Sequence, residues 1–210
     1  NFVGTNLHGK RIGILGFGRI GMQIANLMIG LGCTVYAYDN KLNLKKIKGV
    51  NFVKSAGELI NSVDILSINI DDADSNKSFI NKKLLKNIGP DGIFMVNTAR
   101  GFVVNELDIL WALENGKILG YGADVLNGEV KSQVWLKENQ LWESKNRNKS
   151  LNLVITPHLG GATKENILQS EHSVILKFFQ HKTIFSSLLK NLKIFFQHFF
   201  LHHWFLLQTL

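Results

Sequence analysis

The chain has 210 residues, 45% of them hydrophobic, enough for a buried core and incompatible with disorder throughout. A single cysteine, Cys33, excludes a disulfide framework and fits a reducing, cytoplasmic setting. The formal net charge is +8, but Lys carries most of it and no stretch interleaves basic residues with aromatics, so nucleic acid is not an expected partner. Part of the excess is local, because Lys177, Lys182, Lys190 and Lys193 lie beyond Glu171, the last acidic residue. The remaining basic surface would attract a small anionic substrate. No uncharged apolar run reaches the roughly 18 residues of a spanning helix, so no membrane span is expected. The chain opens on Asn1 with no signal-like segment, which reads as a start inside a longer parent.

From Arg11 onward, short apolar runs alternate with longer amphipathic ones. Strands are predicted at residues 11–15, 33–38, 65–70, 93–97, 118–123 and 153–156. They are short and mostly contain Val or Ile, as parallel strands covered on both faces require. Helices are predicted at residues 19–31, 56–61, 81–87 and 106–115, with another beginning near Thr163. Gly30, Gly32 and Gly116 stand where helices should stop. This alternation predicts an α/β fold with a doubly wound parallel sheet. Residues 129–150 are expected to form a long surface connection with one short helix. Residues 185–210 are rich in Phe, Leu and His and contain no acid, and read as an atypical tail or an interfacial helix rather than a domain. His181, His198, His202 and His203 lack an accompanying carboxylate or Cys, so no metal site is expected.

Gly16-Phe17-Gly18-Arg19-Ile20-Gly21 follows the first strand and opens the first helix. Gly16 permits a tight turn, Gly18 lets a pyrophosphate approach the backbone, and Gly21 lets the helix pack against the strand. Free N–H groups and the positive dipole end of the helix then face the phosphates. The second strand ends on Asp39, a carboxylate placed to accept hydrogen bonds from ribose hydroxyls and to repel a 2′-phosphate. NAD is therefore the expected cofactor. A tight turn with close helix packing is the plainer alternative for the glycines.

The later strands lead to Asn97-Thr98-Ala99-Arg100-Gly101, to Gly122-Ala123-Asp124 with Glu129 shortly after, and to Thr156-Pro157-His158-Leu159-Gly160-Gly161. Chemical side chains thus fall at the carboxyl ends of successive strands, where open parallel sheets bind ligands. Oxidation of a 2-hydroxyacid needs a base, a hydride acceptor and a carboxylate clamp. His158 suits the base, Glu129 its orientation, and Arg100 the clamp. Asp124 is placed to accept from the nicotinamide amide. Singly, each has a duller reading: His158 as a cap or core residue, Arg100 as a surface ion-pair partner, Glu129 as a loop acid, Asp124 as a cap. Cys33, His8 and His172 read as structural.

Together these motifs resemble the D-isomer-specific 2-hydroxyacid dehydrogenases, in particular their phosphoglycerate dehydrogenase-like branch. The resemblance implies a Rossmann-type NAD-binding domain over residues 1–184, with the substrate domain largely absent. It implies a reversible, NAD-dependent oxidation of a D-2-hydroxyacid, and a homodimer. Arg100, Glu129 and His158 fall on the family's catalytic residues. Arg19, Ile20, Asp39, Thr98, Ala99, Asp124 and the stretch from His158 through Gly160 and Gly161 fall on its cofactor contacts. Asn69-Ile70-Asp71 stands where the family often reads His-x-Pro, and Val130 where Pro is usual. With the longer connection to His158, the second departure leaves room for Glu129 to shift from the imidazole it is expected to orient. A corepressor-like NAD sensor without catalysis, or an inactive fragment that still binds NAD, is the alternative function.

Overall fold

The computed structural model describes residues 5–40, 47–129 and 135–180. The chain divides into two compact units, residues 1–160 and residues 161–210.

The first unit is built in the order β1 (Arg11–Leu15), α1 (Arg19–Gly30), β2 (Thr34–Tyr38), β3 (Val50–Phe52), α2 (Ala56–Asn61) and β4 (Ile65–Ile68). It continues with α3 (Lys82–Leu85), β5 (Ile93–Asn97), α4 (Glu106–Glu114) and β6 (Ile118–Ala123), then α5 (Trp135–Glu138), α6 (Gln140–Arg147) and β7 (Leu153–Ile155). The strands form one sheet in the order β3-β2-β1-β4-β5-β6-β7, and every pairing is parallel. Chain order reverses between β1 and β4, which opens a crevice at the carboxyl ends of those two strands.

Two apolar clusters hold the sheet. Ile12, Ile14, Ala25, Val35 and Ala37 form one with the inner face of α1. Leu59, Leu66, Ile68, Met95, Ile109 and Tyr121 belong to the larger one, which draws on α2, α3 and α4. Burying such side chains contributes about 1.5–3 kcal/mol each, and these terms offset the chain entropy lost on ordering. The helices start where a side chain replaces the missing acceptor. Ser55 Oγ accepts from Glu58 N, and Asn81, Asn105 and Asn139 cap α3, α4 and α6 in the same way. The first helix ends as Gly32 turns left-handed at φ 77°, its N–H donating to Ile29 O.

The expected strands are all present: 11–15, 93–97 and 118–123 with the bounds read from the sequence, and the other three shorter by one or two residues at one end. The edge strand β3 is an addition: three residues with two apolar side chains give no periodicity to read. The connection after Glu129 contains two helices rather than one. It also reaches the interior, because Leu141 and Asn139 are buried.

The second unit contains α7 (Lys164–Gln180), whose first turn is capped by Thr163 Oγ1 accepting from Asn166 N. The tail at 185–210, with the domain limit expected at 184, lies outside the described residues, as do His181, His198, His202 and His203. Among the described residues, no helix is long and apolar enough to cross a membrane, and no group of three His, Cys, Asp or Glu is placed to hold a metal.

Candidate active site

The crevice between β1 and β4 is walled by the glycine loop, Tyr38, Asp39, Asn69, Ile70 and Asp71. Gly16 sits at φ 89° with its α-carbon against the β4 end; a Cβ there would lie 2.6 Å from the Asn69 carbonyl carbon and oxygen. A Cβ on Gly21 would overlap the Gly16 carbonyl oxygen. Gly18 is the opposite case, with open space where its Cβ would point. It is the N-cap of α1, and no side chain caps that helix. The loop is therefore closed behind by packing and open in front, as approach of a pyrophosphate to a helix N-terminus requires.

The Asp39 carboxylate accepts from Phe17 N at 2.8 Å, so the acid at the end of β2 also ties down the glycine loop. Phe17 is buried edge-on against Phe52, ring centroids 5.0 Å apart, which anchors the loop from below. Arg19 and Ile20 are exposed in the first turn of α1. Asn69, at the His-x-Pro position of the family, donates from Nδ2 to Ser67 O and Oγ, and its Oδ1 is buried without a partner.

Asn97, Ala123 and Ile155 lie level across β5, β6 and β7. Just beyond that row stand the other sequence-predicted residues. Asn97 is fully buried and shapes the next turn: its Oδ1 accepts from Ala99 N and its Nδ2 donates to Arg100 O. Thr98 is exposed and Ala99 buried in that turn. The Arg100 side chain is half-exposed, donates from Nη1 to Ala99 O at 2.8 Å, and has Asp72 4.0 Å away.

Asp124 organises the turn that carries His158. Its Oδ1 accepts from Thr156 Oγ1 and Leu159 N, and its Oδ2 from Gly160 N. A Cβ on Gly160 would stand 2.9 Å from Oδ2, so glycine lets the carboxylate reach that N–H. Burial works to raise the Asp124 pKa, but the bonds from Thr156, Gly160 and Leu159, with the nearby His158, outweigh it and hold the carboxyl below its ordinary value. His158 is held at φ 53°, rare for a residue with a side chain, and its N–H donates to the Asp124 carbonyl. Gly161 opens the second unit.

A depressed carboxylate pKa gives stability that is present above the unfolded value, near 3.8, and is lost as pH falls through the folded value. Asp124→Asn is therefore expected to cost about 1–3 kcal/mol at neutral pH, as for hydrogen bonds to a charged group. The difference should narrow in acid-titrated unfolding as pH falls below about 3.8 and close only below the lowered folded value; a constant gap between the two proteins across that range would contradict it.

Glu129 meets His158 directly. Its Oε2 is 3.2 Å from the imidazole Nδ1, and its Oε1 accepts from Leu126 N at 3.2 Å. The shift that Val130 and the longer connection would allow is not seen, because the turn from Leu126 to Glu129 is fixed from within. Gly101 packs so closely on it that a Cβ would overlap the Leu126 carbonyl. Beside the pair is an apolar cavity of about 500 Å³ lined by Leu126, Leu136, Trp142, Ile155 and Pro157.

Three groups escaped the sequence reading: Asp72 beside Arg100, Thr156 on Asp124, and Glu106 under the Glu129 turn. Thr156 lay inside a motif already singled out. Asp72 and Glu106 carry no local pattern, since their partners are distant in sequence.

A dinucleotide crevice and a His–Glu pair along one sheet edge define a nicotinamide-type α/β domain. The chain belongs to the D-isomer specific 2-hydroxyacid dehydrogenase family, whose NAD binding domain matches residues 1–160. It is 31% identical over 192 residues to D-3-phosphoglycerate dehydrogenase of Bacillus subtilis, a match covering 89% of this chain and 34% of that protein. The structure of D-2-hydroxyisocaproate dehydrogenase aligns with a TM-score of 0.73 at 25% identity, over 86% of this chain and 54% of the other. D-lactate dehydrogenase from Aquifex aeolicus, solved with NAD and lactic acid, aligns with a TM-score of 0.66 at 27% identity, over 85% and 56%. The chain thus spans between a third and about half the length of these relatives.

Proposed function

We propose that this domain serves an NAD-dependent dehydrogenase that interconverts a D-2-hydroxyacid and its 2-oxoacid. The observation that carries the reading is the Glu129–His158 pair at the sheet's carboxyl edge, 3.2 Å apart and braced on both sides. Glu129 is an acceptor only, so the neutral ring bonds it through Nδ1–H and turns a basic Nε2 toward the substrate. His158 then takes the hydroxyl proton in oxidation and returns it in reduction. Arg100 leaves Asp72 to clamp the substrate carboxylate and stabilises charge developing on the C2 oxygen.

NAD, when bound, supplies the hydride acceptor. Gly16, Gly18, Arg19, Ile20 and Gly21 would hold its pyrophosphate, Asp39 its adenosine ribose, and Thr98, Ala99, Asp124, Gly160 and Gly161 its nicotinamide half. Asp124 already receives three donors. A carboxylate offers about four acceptor sites, which leaves room for one more.

The NAD-binding domain is taken to run over residues 1–184, the protein to be cytoplasmic and homodimeric, and its partner to be a small 2-hydroxyacid rather than nucleic acid. The homodimer is supported by Phe94 and Val96 of β5 and Val154 of β7, exposed apolar residues on one face of the sheet, with the glycines of β6 between them.

The test is to mix the protein with NADH and glyoxylate or hydroxypyruvate and follow the reduced nicotinamide. Its consumption is expected, with glycolate as product from glyoxylate and D-glycerate from hydroxypyruvate. Association driven by NADH without hydride transfer would refute the enzyme in favour of a sensor.

A further inference from the structure

The connection leaving β6 carries Glu129 and then runs through α5 to Asn139 at the start of α6. Both ends of that stretch meet at one buried carboxylate. Glu106, in the first turn of α4, accepts from Asn127 N at 2.8 Å, and from Asn139 Nδ2 at 2.8 Å on each of its two oxygens. Asn139 Nδ2 also reaches Asn127 O at 3.3 Å, so the two ends are joined to each other as well as to α4. The Asn139 Oδ1 is spent on Trp142 N, which fixes the orientation of its amide.

This is an expensive way to build a mere brace. Burial pushes the Glu106 carboxyl up from its ordinary value, with the bonds from Asn127 and Asn139 opposing that rise. The donors that recover the cost come from the two ends of the Glu129 connection. Glu129 lies two residues beyond Asn127, and Gly101 packs on the same turn from the β5 side. Holding both ends of the stretch removes most of the freedom that would otherwise let Glu129 drift from the imidazole.

We propose that Glu106 is a positioning residue for the His158–Glu129 pair, its carboxylate clasping the connection at Asn127 and Asn139 and thereby fixing where Glu129 meets Nδ1. The inference rests on the pair assigned above and adds a group that touches neither substrate nor cofactor. It acts through geometry, and a displacement of about 1 Å at a reacting group can cost about a hundredfold in rate.

The test reads the imidazole rather than turnover. In ¹⁵N-histidine spectra taken about two pH units above the ordinary imidazole value, His158 should be the Nδ1–H tautomer, the one Glu129 requires. Its signals are assigned by difference against His158→Gln. Glu106→Gln keeps the shape but turns an amide donor toward the Asn139 amide. Asn139→Ser keeps a cap for α6 yet cannot span to Glu106, and serves if the first variant does not fold. In both, the Nε2–H tautomer is expected to become the majority while NADH affinity is unchanged. Persistence of Nδ1–H in the variants would overturn the clasp and leave the dehydrogenase reading standing. Loss of NADH affinity in step with the tautomer would overturn it too, as general damage to the fold. An Nε2–H ring in the unaltered protein would remove the pair itself, and both readings with it.

Discussion

If the proposed dehydrogenase reaction is right, His158→Ala in the full-length protein is expected to lower kcat by at least about a hundredfold, the usual worth of a positioned general base, with NAD affinity little changed. The expectation follows from how the imidazole is held. Its backbone is kept at φ 53° by the Asp124 turn, and its Nδ1 faces the Glu129 carboxylate at 3.2 Å. With Nδ1 engaged by Glu129, Nε2 is the ring nitrogen left to exchange a proton with a substrate. Removing the ring leaves the turn, the glycine loop and Arg100 in place, so binding and chemistry should separate cleanly in steady-state kinetics. Near-normal turnover at neutral pH would show that another group carries the proton.

Gly16→Ala should have the largest effect on the fold, destabilising it by about 3–5 kcal/mol in denaturant unfolding and abolishing tight NAD binding. Two costs add. The residue is left-handed at φ 89°, and its Cβ would lie 2.6–2.7 Å from backbone atoms of Asn69 and Ile70, which cannot swing aside as a flexible side chain can. Relief requires β1 and β4 to part at the crevice proposed to hold the cofactor. Gly18→Ala is the informative comparison: with open space around its Cβ, it should cost only the roughly 1 kcal/mol of a poorer N-cap, far less than Gly16→Ala, while weakening NAD binding. A Gly16→Ala protein as stable as the parent would mean the loop does not close on β4 as described.

Much of this fold is legible in the sequence because its central strands are buried on both faces, and burial writes short apolar runs. Ile12, Ile14, Val35, Ala37, Leu66, Ile68 and Met95 all sit in strands expected from that pattern. The edge strand β3 escaped because Val50-Asn51-Phe52 is too short for a period. The region after Glu129 escaped for a different reason. Asn139 is buried because its partner is Glu106, 33 residues earlier, and no local rule links an asparagine in a polar stretch to an acid in another helix.

The candidate site divides in the same way. The glycine loop and Asp39 belong to one strand–turn–helix–strand unit and can be read within it. The meeting of Glu129 with His158 across 29 residues had only joint placement and family resemblance to suggest it. That Asp124 spends three acceptor positions on Thr156, Leu159 and Gly160 was invisible, because two of the donors are backbone groups that any residue would supply. The carboxylate at Asp72, 4.0 Å from Arg100, depends on β4 and β5 being neighbours in the sheet.

The most direct test is a crystal structure with NAD and oxamate, an unreactive mimic of a 2-oxoacid. Oxamate is expected beside the nicotinamide with its carboxylate on Arg100, drawn off Asp72, and its C2 oxygen within hydrogen-bond distance of His158 Nε2. Oxamate bound elsewhere, with Arg100 still on Asp72 and the imidazole turned from the dinucleotide, would contradict the account.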